Sequence, residues 1–216
     1  MSHSLLQRHL GRPETDPAQR LAMTQLGCGL FYADHHEDAL VVQEANLSMR
    51  RRIGASAQSI LTVQGDLANT YQNLGRLDEA LSMRRDVYSG RLKLDGEQDE
   101  RTLMEANNYA VLLNQLERFE EAKSMLRKTI PVARRVLGDS NDVTLKMRWV
   151  YAEALYEDPN ATLDDLREAA TTLEDTERIA RRVFGGAHPL TMGIECDLQR
   201  SRAALRARET PPAGDK

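Results

Sequence analysis

The sequence has few aromatic residues and only two cysteines, and both shortages limit what the protein can be. Phe, Trp and Tyr make up 5% of the 216 residues, so a buried core must consist mainly of aliphatic side chains. Cys28 and Cys196 are far apart and lie in helical patterns. We therefore expect free thiols in a reducing compartment rather than a disulfide framework, and we predict a cytoplasmic protein.

Long apolar runs and an excess of basic charge are absent as well. No window approaches the roughly 18 consecutive apolar residues that a membrane-spanning helix needs. The start, MSHSLLQRHLGRPETDP, lacks the apolar segment of a signal peptide. We therefore expect no membrane partner. The formal net charge of −4 argues against a nucleic-acid partner, because neutralising phosphates requires a basic surface.

Motifs that carry catalysis or bind metals are poorly represented. The sequence has no GxxxxGK[ST] loop and no GxGxxG that follows a strand. His35 and His36 are adjacent, so they cannot share a helix face as paired zinc ligands do, and Cys28 has no nearby histidine to activate it. His188 precedes Pro189 in a linker, where we expect it to cap or pack. We predict no catalytic residue, no cofactor and no metal; an enzyme is a minor alternative.

The sequence does contain an internal repeat. LGRLDEALSM at residues 74–83 returns as LERFEEAKSM at 116–125, with Leu, Arg, Glu, Ala, Ser and Met in register. Four alanines mark the repeat at intervals of 41, 42 and 47 residues, namely Ala39, Ala80, Ala122 and Ala169. A fixed period of this kind indicates structural units that stack and share a core.

Apolar residues within each unit recur at three- and four-residue steps, as they do in amphipathic helices. In the third unit, Leu103, Ala106, Ala110 and Leu113 mark one apolar stripe, and a second stripe follows a short turn. No segment alternates with a period of two residues, so we predict no sheet. Each unit is therefore expected to be a helical hairpin. The repeat alanines suit close helix crossings, where a bulky side chain would cost roughly 1–3 kcal/mol.

The predicted domain is a solenoid over residues 19–208. Its units are expected at 19–58, 59–100, 101–142 and 143–188, followed by a capping helix at 189–208. The helices within these units are predicted at 19–34, 37–53, 59–74, 78–94, 101–116, 119–137, 143–157 and 162–184. Residues 1–18 are expected to be a remnant of a preceding repeat helix, and residues 209–216 a disordered tail. Pro159 should end a helix and Pro131 should kink one.

The repeat resembles the tetratricopeptide repeat of the kinesin light chain type. The segments that carry the resemblance best are ANNYAVLLNQLERFEEA at 106–122, VLGDSNDVTL at 136–145 and FGGAHPLT at 184–191. The resemblance implies an all-α, right-handed superhelical solenoid of stacked helix-turn-helix repeats. It also implies that first helices line a concave face and second helices a convex one. The heptads that join kinesin light chains to their motor are absent, so motor attachment is not implied.

The same resemblance implies a non-catalytic scaffold that binds an extended peptide or a partner protein in the concave groove. The candidates are polar residues of first helices that lie off the apolar stripe, since amide side chains both donate and accept hydrogen bonds. They are Asn69, Gln72, Asn73, Asn107, Asn108, Asn114, Gln115, Lys146, Trp149 and Glu153. The alternatives are a merely solvated helix face for the amides and a core position for Trp149.

Two further questions stay open at the level of the sequence. Arginine pairs or triplets recur on the second helices, at 50–52, 84–85, 134–135 and 181–182. We expect a solvated convex face there rather than a surface for phosphate or an acidic partner, because acidic residues lie between them. Incomplete terminal units could also expose apolar stripes. Self-association, or origin as a fragment of a larger repeat protein, is therefore the alternative to a groove that binds a partner.

Overall fold

The computed structural model describes residues 16–210, and this part of the chain contains helices and no strand. Within residues 16–210, nine helices, α1 to α9, occupy Pro17–Tyr32, His36–Arg52, Ala57–Asn73, Leu77–Asp95, Glu100–Gln115, Phe119–Val136, Asp142–Tyr156, Leu163–Phe184 and Pro189–Glu209. The predicted all-α class is confirmed, and each predicted helix end lies within two residues of the observed one. The predictions for residues 1–15 and 211–216 lie outside the described residues.

The described residues form two compact units, which divide between Leu94 and Asp95 in the last turn of α4. In the first unit α2 packs against both α1 and α3. In the second unit α5 to α9 pack consecutively, and the first helices α5, α7 and α9 also lie side by side. A helical hairpin whose first helix contacts the next first helix is the arrangement that the repeat predicted.

A capping side chain precedes each of the five first helices. Asp16, Ser56, Asp99, Asn141 and His188 each accept a hydrogen bond from a backbone amide in the first turn of the following helix. Such a cap satisfies an amide that has no partner within the helix and contributes about 1 kcal/mol. The repeated polar residue before each first helix therefore defines where that helix begins.

The four repeat alanines are completely buried. Ala39, Ala80, Ala122 and Ala169 each expose 0% of their surface. The alanine is the fourth residue of α2, α4 and α6, but it is the seventh residue of α8, which begins about one turn earlier relative to it. This extra turn, together with the longer loop after α7, accounts for the interval of 47 residues between Ala122 and Ala169.

The two prolines singled out in the sequence have different positions. Pro159 lies in the loop after α7, which ends at Tyr156, in agreement with the prediction that it stops a helix. Pro131 lies inside α6, which continues across it to Val136. Pro131 is exposed, so its ring lies on the solvent side of the helix and displaces no buried side chain.

Two arginines from these pairs and triplets do not lie on the solvated face that was expected. Arg84 on α4 exposes only 3% of its surface and donates a hydrogen bond to Asn69 Oδ1 on α3. Arg50 on α2 is half-buried and donates to Thr24 on α1 and Ser59 on α3. These arginines turn inward because neighbouring helices offer them oxygen acceptors, and they join helices within the first unit.

Candidate functional site

The first helices of the second unit present a stripe of polar side chains. Lys146, Trp149 and Glu153 follow one another at three- and four-residue steps and therefore share one face of α7. Asn108 and Gln115, seven residues apart, share one face of the neighbouring α5. Lys146 and Gln115 are exposed, and the other three are half-buried. These five residues are called the first-helix surface below.

Asn114 joins the two helices beneath this surface. Its Nδ2 group donates one hydrogen bond to the backbone carbonyl of Val150, at 2.9 Å, and one to Glu153 Oε2, at 3.0 Å. Asn114 exposes only 6% of its surface, and Asn107 exposes 7%. Sequence reasoning placed both amides on the open side of α5, whereas the structure buries both because their helix packs against its neighbours on that side.

The indole ring of Trp149, a residue of α7, packs against α9. Its indole Nε1 donates a hydrogen bond to Asp197 Oδ2 at 2.6 Å. The ring covers Gly193 so closely that a Cβ at that position would lie 2.5 Å from it. Gly193 thus makes room for the indole. Trp149 is thus a packing residue that stays partly open, and its contact with a partner stays a prediction.

Glu153 is a half-buried carboxylate on α7. Among the described residues, no Lys, Arg or His side chain forms an ion pair with Glu153. Burial raises the pKa of Glu153, and the charges of Glu157 and Asp197 raise it further. The hydrogen bond from Asn114 and the charge of Arg200 oppose this rise of the pKa. A carboxylate in this environment favours any approaching donor or cation.

Lys146 and Asn108 of the first-helix surface are held loosely. Lys146 forms an exposed ion pair with Asp142, one turn earlier on α7, at 2.7 Å. The Nδ2 group of Asn108 lies 3.5 Å from Glu105 Oε2, which is a long contact for a hydrogen bond. Exposed ion pairs contribute little to stability, so both side chains can be drawn into contacts with a ligand at small cost.

In the first unit, the three predicted residues of α3 have different environments. Asn69 accepts a hydrogen bond from Arg84, so its carbonyl oxygen is engaged within the unit. Asn73 is exposed, and its Nδ2 donates to the backbone carbonyl of Asn69 at 2.9 Å. Gln72 is half-buried. Of the three, Asn73 presents the most open amide.

A small cavity in the first unit was not anticipated from the sequence. It measures about 30 Å³ and is lined by Cys28, Phe31, Tyr32, Gln43, Asp66 and Asn69. Tyr32 exposes 84% of its surface. Burial raises the pKa of Cys28, and the charge of Asp66 adds to the rise, so the thiol is a weak nucleophile at neutral pH. In the sequence, the adjacent aromatic residues at the end of α1 were the one feature that could have indicated this cavity.

The structure also shows the surroundings of His188 and His36. His188 caps α9, where its Nδ1 accepts from the amide of Leu190 at 3.2 Å, and its ring stacks on Phe184 at 4.8 Å between ring centroids. His36 lies against Phe31. Within residues 16–210, no group of three or more His, Cys, Asp and Glu side chains is placed to hold a metal ion. In the same residues no helix is both long and apolar enough to cross a membrane.

Comparison with known proteins identifies the repeat. Residues 59–135 match the tetratricopeptide repeat family model. A search of curated proteins finds no match. Among solved structures, one similar fold is that of the nearly identical TPR-like repeats of a Podosopora anserina protein assigned as a kinesin light chain. The TM-score is 0.73 at 19% sequence identity, and the match covers 90% of each chain.

Two further structures share the fold. BtubC (BKLC) from P. vanneervenii matches with a TM-score of 0.62 at 13% identity, over 99% of this chain and 90% of that one. A Rap protein complexed with Competence and Sporulation Factor matches with a TM-score of 0.54 at 14% identity, over 89% of this chain and 54% of that one. Residues 59–135 thus match the tetratricopeptide repeat, and the chain shares its helical fold with kinesin light chain-like repeat proteins.

Proposed function

We propose that this protein is a non-catalytic scaffold that binds an extended segment of a partner protein along the first-helix surface of the second unit. The observation that carries the proposal is the stripe of amide, ammonium, indole and carboxylate groups on the adjacent helices α5 and α7. Asn108 and Gln115 can each donate to and accept from a partner backbone. Trp149 supplies a partly open aromatic group of the kind that dominates binding energies at interfaces.

The fold supports this proposal at a coarser level. Tetratricopeptide repeats generally mediate protein–protein interaction, and the Rap protein with a similar fold was solved with Competence and Sporulation Factor bound. In the first unit, we propose Gln72 and Asn73 as contact residues on α3, while the side chain of Asn69 accepts a hydrogen bond from Arg84. Free thiols at Cys28 and Cys196 are compatible with the cytoplasm as the site of binding.

Peptide display tests the proposal with a library that samples many partner sequences at once. Random twelve-residue peptides are selected on the wild-type protein, and the dissociation constants of the enriched peptides are measured by fluorescence anisotropy. The double variant Asn108→Ala/Lys146→Ala should weaken binding at least about tenfold, because hot-spot contacts contribute more than about 1 kcal/mol each.

A matched control removes similar groups from a second helix. Ser124→Ala/Lys128→Ala changes two exposed residues of α6 and should leave the dissociation constants unchanged. Equal affinities of the wild-type protein and the Asn108→Ala/Lys146→Ala variant for every enriched peptide would contradict the proposed surface. Failure to enrich any peptide would contradict the proposed binding of extended segments.

Self-association is the second candidate function. Exposed apolar side chains favour it: Met192 exposes 57% and Val183 45% of their surfaces at the end of the second unit. Sedimentation velocity over a hundredfold dilution series separates the two candidates. A sedimentation coefficient that falls on dilution, and that Met192→Ser/Val183→Ser lowers at fixed concentration, would favour self-association. A constant monomer value would exclude it over that range.

A further inference from the structure

We propose that the partner segment places an arginine or lysine side chain against the carboxylate of Glu153. This inference rests on the proposed function and specifies the chemistry of the partner. It starts from an observation in the second unit, where Glu153 is held by a hydrogen bond from Asn114 and forms no ion pair with a cation of the described residues.

The two oxygens of Glu153 differ. Oε2 accepts the hydrogen bond from Asn114, which is itself fixed by its second bond to the carbonyl of Val150. Oε1 receives no hydrogen bond from the described residues and is not buried. Because Asn114 is buried and held at two points, it orients the carboxylate and leaves Oε1 available to a donor from outside the unit.

Two cations on the helices that line this surface are already paired with other acids. Lys146, two turns before Glu153 on α7, pairs with Asp142 at 2.7 Å. Arg200 on α9 pairs with Asp197 at 3.2 Å. Neither forms an ion pair with Glu153, although both lie on helices that line the same surface. A direct ion-pair partner for Glu153 is therefore not supplied by these two cations, which leaves that position to a bound molecule.

The surroundings favour a cation over a neutral donor. Glu157 and Asp197 both add negative charge near Glu153, and the hydrogen bond from Asn114 and the charge of Arg200 act in the opposite direction. Burial has already removed part of the water that would otherwise stabilise the carboxylate, so an incoming positive charge gains more there than at an exposed acid. Trp149 lies one turn before Glu153 on the same stripe, and indole rings attract guanidinium and ammonium groups.

Display selection with variants of Glu153 tests the inference. The probe is the library of random twelve-residue peptides, selected in parallel on the wild-type protein, on Glu153→Gln and on Glu153→Lys. Glu153→Gln keeps an oxygen that can accept the hydrogen bond from Asn114, so the local structure is retained. Peptides from the wild-type selection should share an Arg or Lys at one position, and this preference should be lost on Glu153→Gln.

Affinities of individual peptides provide the quantitative test. The dissociation constant of a wild-type-selected peptide should rise about tenfold on Glu153→Gln. This loss of affinity lies between the small effect of removing an exposed ion pair and the large effect of removing a buried one. On Glu153→Gln, replacing the shared Arg or Lys of the peptide by Gln should raise the dissociation constant by no more than about twofold, because the two changes remove the same contact. Glu121→Gln on α6, an exposed carboxylate, is the matched control and should leave affinity unchanged.

The outcomes separate this inference from the proposed function. Enriched peptides that depend on Asn108 and Lys146 but share no basic residue would overturn the inference and leave the proposed function in place. A basic residue that is retained in the Glu153→Gln selection would also overturn it. Absence of any enriched peptide would overturn both. Selection of acidic residues on Glu153→Lys, in place of basic ones, would support the inference by charge reversal.

Discussion

The ammonium group of Lys123 lies 2.8 Å from the carboxylate of Asp158, and the two side chains expose only 4% and 7% of their surfaces. Lys123 belongs to α6, and Asp158 belongs to the loop after α7. Asp158 also accepts a hydrogen bond from the backbone amide of Asn160 at 2.8 Å. One buried ion pair therefore anchors the loop that distinguishes the fourth repeat from the others.

Removing this cation should destabilise the protein. Lys123→Met keeps most of the side-chain volume but leaves Asp158 buried without a counter-charge, which costs about 3 kcal/mol in comparable pairs. Urea unfolding followed by circular dichroism measures the free energy of unfolding. Lys128→Met, an exposed lysine on the same helix, should change it by less than about 0.5 kcal/mol. Equal effects of the two variants would show that the buried pair does not anchor the loop.

The same pair should make stability depend on acid pH. The hydrogen bond from Lys123 holds the pKa of Asp158 below its ordinary value, in spite of its burial. A carboxylate with a lowered pKa in the folded state stabilises the fold above the pKa of the unfolded chain, about 3.9. This contribution is lost as the pH falls below that value.

Unfolding free energies at pH 7, 5 and 3 measure this dependence. The wild-type protein should lose more stability between pH 5 and pH 3 than Lys123→Met, because the variant lacks the cation that lowers the pKa of Asp158. Parallel pH dependences for the two proteins would contradict the assignment.

Arg50 should be important for the first unit. Its Nη2 group donates to Thr24 Oγ1 at 2.8 Å and its Nε group to Asn46 Oδ1 at 3.0 Å, and it also bonds to Ser59. Arg50→Met removes donors from three side-chain oxygens and should lower the free energy of unfolding by about 2 kcal/mol. Arg51→Met, at the exposed neighbouring position, is the control. An effect of Arg50→Met as small as that of the control would show that these bonds are not needed for stability.

The repeat alanines should not tolerate larger residues. Ala39 exposes 0% of its surface, so Ala39→Leu should cost about 1–3 kcal/mol through overpacking. Ala45 is an exposed alanine of the same helix α2, and Ala45→Leu should have little effect, since Leu and Ala have similar helix propensities. Thermal unfolding of both variants compares them directly. A tolerated leucine at position 39 would mean that α2 does not pack closely at that point.

Much of the fold could be predicted because its signals are local. The apolar stripes at three- and four-residue steps depend on helix geometry alone, and so do the capping residues Asp99, Asn141 and His188. The first-helix surface was harder to predict. Asn107 and Asn108 are adjacent and chemically identical, yet one is buried and the other is half-open. The direction in which each points depends on the packing of α5 against its neighbours, which no local pattern specifies.

The sequence by itself determined that the chain forms helical hairpins of a fixed period, since periodicity, caps and small residues act within one hairpin or between adjacent ones. Only the tertiary structure decided that Arg50 and Arg84 turn inward and that Asn114 bonds to Glu153 beneath the surface. The physical reason is that a polar side chain is satisfied by whatever partner a neighbouring helix brings within about 3 Å, and that partner lies 9 to 39 residues away in sequence for these contacts.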